Sequence, residues 1–247
     1  MIGEVLVECA HMSCAYNSTL AIKSIDLTIR KADFVGIVGP SGSGKTTLFK
    51  TLMDTTPLLG GDLQWNGISM RDFSFNSRQK IFSWLPARRA MEESLKVYEL
   101  LSYSAAAVND EDVLKSKRTL EVMNKITDLM KLHPFLEMPY ISLSEGQKKK
   151  VEIAAMFMKD SPVCLLDEPS VFLDISNQKE IADILRLFAK EEGKIILFSS
   201  HDLALIENVA ETCWVINNNK IEASNSITET IVEYTSRDYK EEVLIEN

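Results

Sequence analysis

The sequence has no apolar run approaching the ~20 residues needed to span a bilayer. Its start, "MIGEVLVECAHMS", carries Glu4 and Glu8 and lacks the basic-then-apolar order of a signal peptide. Cysteine is scarce. Cys9, Cys14, Cys164 and Cys213 form no CxxC pair, and the three histidines sit at no metal-ligand spacing, which argues against zinc. Cys164, inside the apolar run "VCLL", reads as a buried core thiol, and the whole pattern fits a reduced, cytosolic protein. Basic side chains are in deficit. A net charge of −9 argues against gripping a nucleic acid backbone as the main task. Internal repeats and low-complexity segments are lacking too.

What is present is material for a large α/β core. The 247 residues are 45% hydrophobic, enough for one such core with or without an inserted subdomain. The first thirty residues read as antiparallel strands. In "SIDLTI", Ile25, Leu27 and Ile29 alternate with polar residues, the period of a half-buried strand. "DFVGIVG" is continuously apolar, as a central parallel strand should be. "LQWNGIS" predicts a hairpin at Asn66-Gly67, and "KIFSWLP" a strand closed by Pro86.

From about Glu93 to Lys159 the pattern turns helical. Val113, Leu120, Met123, Ile126 and Met130 recur at near-helical spacing and predict a core-facing stripe, with Asp110 as a cap. Beyond this insertion, "PVCLLDE" and "KIILFSS" read as buried strands. Between them "NQKEIADILRLFAKEEG" puts Ile181, Ile184, Leu185 and Phe188 on one helix face and stops at Gly193. "TCWVINNNKIEAS" predicts a hairpin, and the tail from about Ser226 a helix with a charged end. Strands and helices alternate in both outer thirds, which implies a mainly parallel sheet flanked by helices.

"GPSGSGKTT", residues 39–47, satisfies G-x-x-x-x-G-K-[ST] directly after a predicted strand. A chance match in a chain this long is on the order of one in a hundred. Gly39, Pro40, Ser41, Gly42, Ser43 and Gly44 would wrap their N–H groups around phosphate oxygens. Lys45 would reach the β- and γ-phosphates, and Thr46, followed by Thr47, would sit on Mg²⁺. Asp167 ends the apolar run "VCLLDE", where it can hold the metal, and Glu168 can orient and deprotonate an attacking water. His201, after the next buried strand, stands where a neutral imidazole can reach the γ-phosphate or that water.

A second anion loop is harder to explain. "ISLSEGQKKKVEIAAMF" runs from a Ser-Glu-Gly loop into a helix, a start whose free N–H groups suit a phosphate. Lys148, Lys149 and Lys150 within it read as a solvated helix face.

Taken together, "GPSGSGKTT", "SWLPA", "LSEGQ", "VCLLDEP", "VFLD" and "SSHD" resemble, in order and spacing, the Walker A, Q-loop, signature, Walker B, D-loop and switch-histidine segments of ABC transporter ATP-binding subunits. The resemblance runs along nearly the whole chain. It implies a P-loop NTPase with a RecA-like, mainly parallel sheet, an antiparallel β subdomain and an inserted helical subdomain. Residues 1–90 and 160–225 would form the ATP-binding core, 91–159 the helical signature subdomain and 226–247 the tail of a single domain. It implies ATP and Mg²⁺ as ligands and a head-to-tail homodimer in which the signature of one copy completes the ATP site of the other. Ser144 and the backbone around Gly146 would then grip the γ-phosphate held by a partner's Lys45, with Gln147 of the same signature counted among the nucleotide-binding residues. Tyr16 would stack on adenine, and Asp174 would communicate across the interface. Two positions depart from the pattern. Ala87 stands where the Q-loop glutamine is expected, and Glu145 replaces the first signature glycine, so slower hydrolysis is expected.

Within the family, "RQKIFSWLP" and the segment from "LDISNQ" to "CWVI" look like the ATPases of ferric-siderophore, haem and cobalamin importers. That implies a separate transmembrane permease, a substrate-binding protein acting indirectly, no nucleic acid partner, and a peripheral position on the cytoplasmic face of the membrane. The alternatives are a soluble ABC ATPase of the iron–sulfur assembly type, or a slow ATP-dependent regulatory clamp.

Overall fold

The computed structural model describes residues 4–16, 19–56, 58–87, 91–106, 117–171, 173–224, 226–232 and 234. The first half runs β1 (Val5–Tyr16), β2 (Thr19–Arg30), β3 (Phe34–Val38), α1 (Lys45–Leu52), β4 (Leu58–Trp65), β5 (Ile68–Ser69), α2 (Phe75–Ile81) and β6 (Phe82–Leu85). Three helices follow, α3 (Val97–Ala106), α4 (Lys117–Leu129) and α5 (Glu145–Phe157). The chain then returns to the sheet through β7 (Val163–Asp167), α6 (Ile175–Glu192), β8 (Ile195–Ser199), α7 (Leu203–Val209), β9 (Thr212–Asn217) and β10 (Lys220–Ser224).

Two sheets result. One is antiparallel, in the order β2-β1-β4-β5; the other has the order β10-β9-β3-β8-β7-β6. In the second sheet β9, β3, β8, β7 and β6 run parallel, and β10 closes one edge as the antiparallel arm of a hairpin. The long apolar strands have their physical reason here, since both faces of this sheet are covered. Val35, Ile37, Val163, Leu165, Ile195 and Leu197 point to a core shared with the antiparallel sheet and α1. Phe34, Val38, Cys164, Leu166, Ile196 and Phe198 point to the opposite core, built with α3 to α7. Phe157 of α5 stacks on Phe188 of α6 with ring centroids 4.1 Å apart, so the helical insertion is welded to the helix that packs on the sheet.

Most sequence expectations stand. Ile25 and Ile29 are buried along β2, and Asn66 and Gly67 both take positive φ in the β4–β5 turn. Ile181, Ile184, Leu185 and Phe188 are buried on α6, which ends at Gly193. Cys164 is buried in the core.

Three expectations change. Lys80 and Ile81 belong to α2, a short helix capped by the Ser74 hydroxyl, and the strand begins only at Phe82. Leu120 is exposed at 49%. At 100° per residue it falls on the flank of a stripe that Thr119, Val122, Met123 and Ile126 carry instead. The three lysines after the signature do not form a solvated face. Their side chains are 20%, 4% and 14% exposed, and Lys148, Lys149 and Lys150 each meet a different glutamate, Glu145, Glu152 and Glu180. Asp110 and Val113 lie outside the described residues.

Candidate functional site

The carboxyl ends of β3, β8 and β7 are adjacent in the parallel sheet, and the loop between β3 and α1 opens over them. Crevices at this edge are where open α/β sheets bind ligands. The loop is shaped by its own sequence. Gly44 has φ +109, a conformation that side chains with a Cβ rarely adopt. A Cβ on Gly39 would come within 2.5 Å of the Ile216 carbonyl oxygen and 2.6 Å of Ser43 Oγ. Only glycine lets the loop pass this close to β9.

Lys45, on the first turn of α1, donates from Nζ to the carbonyls of Gly39 at 2.6 Å and Pro40 at 3.1 Å. Its ammonium is thus curled into its own loop. Burial lowers its pKa, opposed by the charges of Glu168 and Asp167. Thr46 Oγ1 donates to Asp167 Oδ2 at 2.5 Å, and Ser199 Oγ donates to Asp167 Oδ1 at 2.6 Å. The same Ser199 oxygen accepts the N–H of Glu168 at 3.0 Å. Glu168 itself has φ 52, left-handed for a residue with a Cβ. Its Oε2 accepts the His201 N–H at 3.3 Å, and its Oε1 lies 3.1 Å from His201 Nε2. Its Oε1 is buried without a hydrogen bond of good geometry, which leaves lone-pair capacity for a donor.

Residues 40–47, Asp167, Glu168 and His201 line one cleft of about 1060 Å³, with Leu20, Ala21, Lys50, Ala87 and Asn217 to Asn219 completing its walls. The structure therefore brings the loop, Asp167, Glu168 and His201 together. It does not bring Ser144, Gly146, Gln147 or Asp174 there. Those residues lie elsewhere, at the starts of α5 and α6. Ser144 caps α5 in a reciprocal capping box with Gln147, and Asp174 caps α6 by accepting the Asn177 N–H at 2.8 Å. A Cβ on Gly146 would lie 3.7 Å from Leu173 Cδ2, so the two helix starts are neighbours. Glu145 is turned aside to Lys148 Nζ at 2.9 Å, and its side chain is 64% exposed. Tyr16 ends β1, and its side chain lies outside the described residues.

Sequence reasoning missed Ser199. Its signal was a pair of serines just ahead of His201, an ordinary composition that gains meaning only from strand register. It also missed Lys50 and the asparagine turn, where Asn219 Nδ2 donates to the carbonyls of Leu20 and Ala21.

The residues fit a nucleotide with a divalent metal. Ser43 Oγ is buried in the loop with no hydrogen-bond partner among the described residues, as a group awaiting a ligand would be. Thr46 and Asp167 offer adjacent hard oxygens, the donor type Mg²⁺ takes alongside phosphate.

The parallel sheet with its glycine loop, lysine, hydroxyl and strand-end carboxylate defines a P-loop NTPase cassette. The particular family follows from comparison with known proteins. The family model described as "ABC transporter" matches residues 22–171, and the chain belongs to that family of ATPases. The iron(3+)-hydroxamate import ATP-binding protein FhuC of Bacillus subtilis is 30% identical over 199 residues, covering 78% of this chain and 71% of that protein. The achromobactin transport ATP-binding protein CbrD of Dickeya dadantii is 28% identical, covering 90% of this chain and 82% of that one. Among solved structures, cbiO1 from Clostridium perfringens, part of the transporter complex cbiONQ, superposes with a TM-score of 0.79 at 23% identity, covering 94% and 92% of the two chains.

Proposed function

We propose that the chain is the ATP-hydrolysing subunit of an ABC importer, working as an ATP-dependent head-to-tail pair of copies on a separate permease. The observation that carries the two-copy reading is the separation of the two anion loops within one chain. The cleft holds the loop 39–47 with Asp167, Glu168 and His201, whereas Ser144 and Gly146 open onto another surface. A second copy placing its signature over this cleft gives both loops a phosphate.

In that assembly Gly39 to Gly44 direct N–H groups at the phosphates, with Thr47 behind them. Lys45 exchanges its two loop carbonyls for phosphate oxygens, which relieves an ammonium now buried without a counter-anion in direct contact. Thr46 and Asp167 are the residues to hold Mg²⁺, which supplies charge neutralisation of the phosphates when bound. Ser199 keeps the Asp167 carboxylate aimed at that position. Glu168 accepts the proton of the attacking water at Oε1, and His201 holds the carboxylate beside it. Tyr16 stacks on adenine, while Gln147 shapes the signature start and Asp174 faces the partner. Residues 1–90 and 160–225 act as the ATP-binding core, 91–159 as the signature subdomain and 226–247 as a tail. No nucleic acid has a part.

The importer class is supported by relatives named for iron-hydroxamate and achromobactin transport. An iron chelate, haem or cobalamin is the substrate class we assign. Among the described residues no helix is long and apolar enough to cross a membrane. A peripheral position on the cytoplasmic face goes with the permease reading. A substrate-binding protein acts only through the permease. One observation favours a slower, clamp-like variant of the same cycle, since Ala87 lines the cleft where a longer polar side chain would reach the nucleotide.

The test is steady-state hydrolysis and size exclusion with ATP and Mg²⁺, comparing wild type with Glu168→Gln. The expected outcome is turnover by the wild type, a loss of about 10²- to 10⁴-fold in the variant, and an ATP-bound dimer of the variant. A variant that hydrolyses normally removes Glu168 from its role.

A further inference from the structure

Glu145 is out of character in a loop built to meet a phosphate. Its carboxylate follows directly on Ser144, at a helix start whose N–H groups and dipole favour an anion from outside. The structure shows how it is kept aside. Lys148 Nζ takes Glu145 Oε1 at 2.9 Å and lies 5.8 Å from the centroid of the Tyr140 ring. Tyr140 is buried, and its hydroxyl donates to Glu152 Oε1 at 2.9 Å. The other oxygen of Glu152 lies 2.8 Å from Lys149 Nζ, and both charged side chains are buried, at 9% and 4% exposed. Backbone bonds anchor Tyr140 as well, since its N–H donates to the Leu95 carbonyl at 2.9 Å. A chain of contacts therefore runs from the buried Lys149–Glu152 pair through Tyr140 to Lys148 and out to Glu145.

We propose that Lys148 is a positioning residue for the reaction: seated on the Tyr140 ring, it draws the Glu145 carboxylate off the anion-facing side of the signature loop and neutralises it. The inference rests on the two-copy reading, because only a partner's nucleotide meets this loop. Its physical basis is that a free carboxylate within several ångströms of a triphosphate repels it, and a paired one does so far less. Glu145, 64% exposed, keeps its side of the pair in solvent, and an ion pair three residues apart that is open to water on one side adds little to stability, while methionine retains the apolar stem that Lys148, 20% exposed, packs on its neighbours. The role of Lys148 is thus separable from folding.

The experiment is a double-mutant cycle in the Glu168→Gln background, reading the ATP concentration at half-dimerisation by size exclusion. Binding of a fluorescent ATP analogue to the single chain is measured alongside, since the signature loop takes no part in it. Lys148→Met is expected to raise the half-dimerisation concentration about tenfold and to leave analogue binding unchanged. In a Glu145→Gly chain the same change should have little effect, because no carboxylate is left to hold. Tyr140→Phe, which removes only the hydroxyl that anchors the ring, should act like a weaker Lys148→Met. Ser104→Ala is the control. It deletes one buried hydrogen bond to the Leu100 carbonyl in the same helical insertion and should leave dimerisation as it was. A Lys148→Met chain that dimerises normally overturns the proposal, as does an equal loss with and without Glu145. A parent chain that stays monomeric in ATP overturns the two-copy reading, and this inference with it.

Discussion

Replacing Ser199 by alanine removes a single buried oxygen atom, so its effect reports chiefly on two hydrogen bonds. The Ser199 hydroxyl is fully buried, donates to Asp167 Oδ1 at 2.6 Å and accepts the Glu168 N–H at 3.0 Å. The first bond reaches a carboxylate and is worth about 1.5–3 kcal/mol; the second is a neutral bond worth about 0.5–1.5 kcal/mol. Together they predict a loss of about 2–4.5 kcal/mol. For a chain of this size that lowers Tm by roughly 4–18 °C. Thermal unfolding followed by circular dichroism reads it, in the absence of nucleotide because bound ligand raises Tm by mass action. Function should suffer in parallel. Glu168 holds a left-handed φ of 52, and the Ser199 bond is one of the contacts that maintain it. Released, its carboxylate drifts from the attacking water on the proposed mechanism, and kcat should fall about ten- to a hundredfold, with a smaller rise in KM as Asp167 loses the bond that aims it at the metal position. A Tm shift below about 1 °C, or a fall in nucleotide affinity with kcat intact, would refute this account of Ser199.

Ala87→Gln should raise steady-state turnover several-fold, because Ala87 lines the same cleft as Glu168 and, on the proposed mechanism, a glutamine amide there would hold the attacking water; unchanged turnover would show that the alanine does not limit hydrolysis. A pH series tests the ion pairs that tie α4 to α6. Hydrogen bonding from Lys125 holds the Glu192 carboxyl below its ordinary value of 4.5, aided by Arg118. A folded value below the unfolded one means that the unfolded chain binds more protons in the interval between them. This contribution is therefore full above about pH 4.5 and is lost as the pH falls through the folded value. Lys125→Met should cost about 1 kcal/mol or less at pH 7, and the gap to wild type in urea unfolding should close as the pH drops below 4.5. A gap that shows no narrowing at all as the pH falls below 4.5 would assign the effect to lost packing on Phe188, whose ring centroid lies 5.5 Å from Lys125 Nζ.

The sequence determined whatever depends on neighbours along the chain. Nine consecutive residues, 39–47, contain a phosphate loop because glycines, lysine and threonine act through local backbone geometry. Continuous apolar runs at Phe34–Val38, Val163–Asp167 and Ile195–Ser199 predicted buried strands, since burial on both faces leaves no alternation to read. The positions of Asp167, Glu168 and His201 at strand ends followed from the same runs. Tertiary structure decided the rest. Ser199 meets Asp167 only because β7 and β8 pair in one register, and register between parallel strands is not written in either strand alone. Leu120 is exposed and Thr119 buried because coverage of a helix flank depends on which element packs there. Lys148, Lys149 and Lys150 resemble a solvated run as a string of letters. Once α5 is packed, its 100° turn per residue sends the three ammonium groups to three separate glutamates.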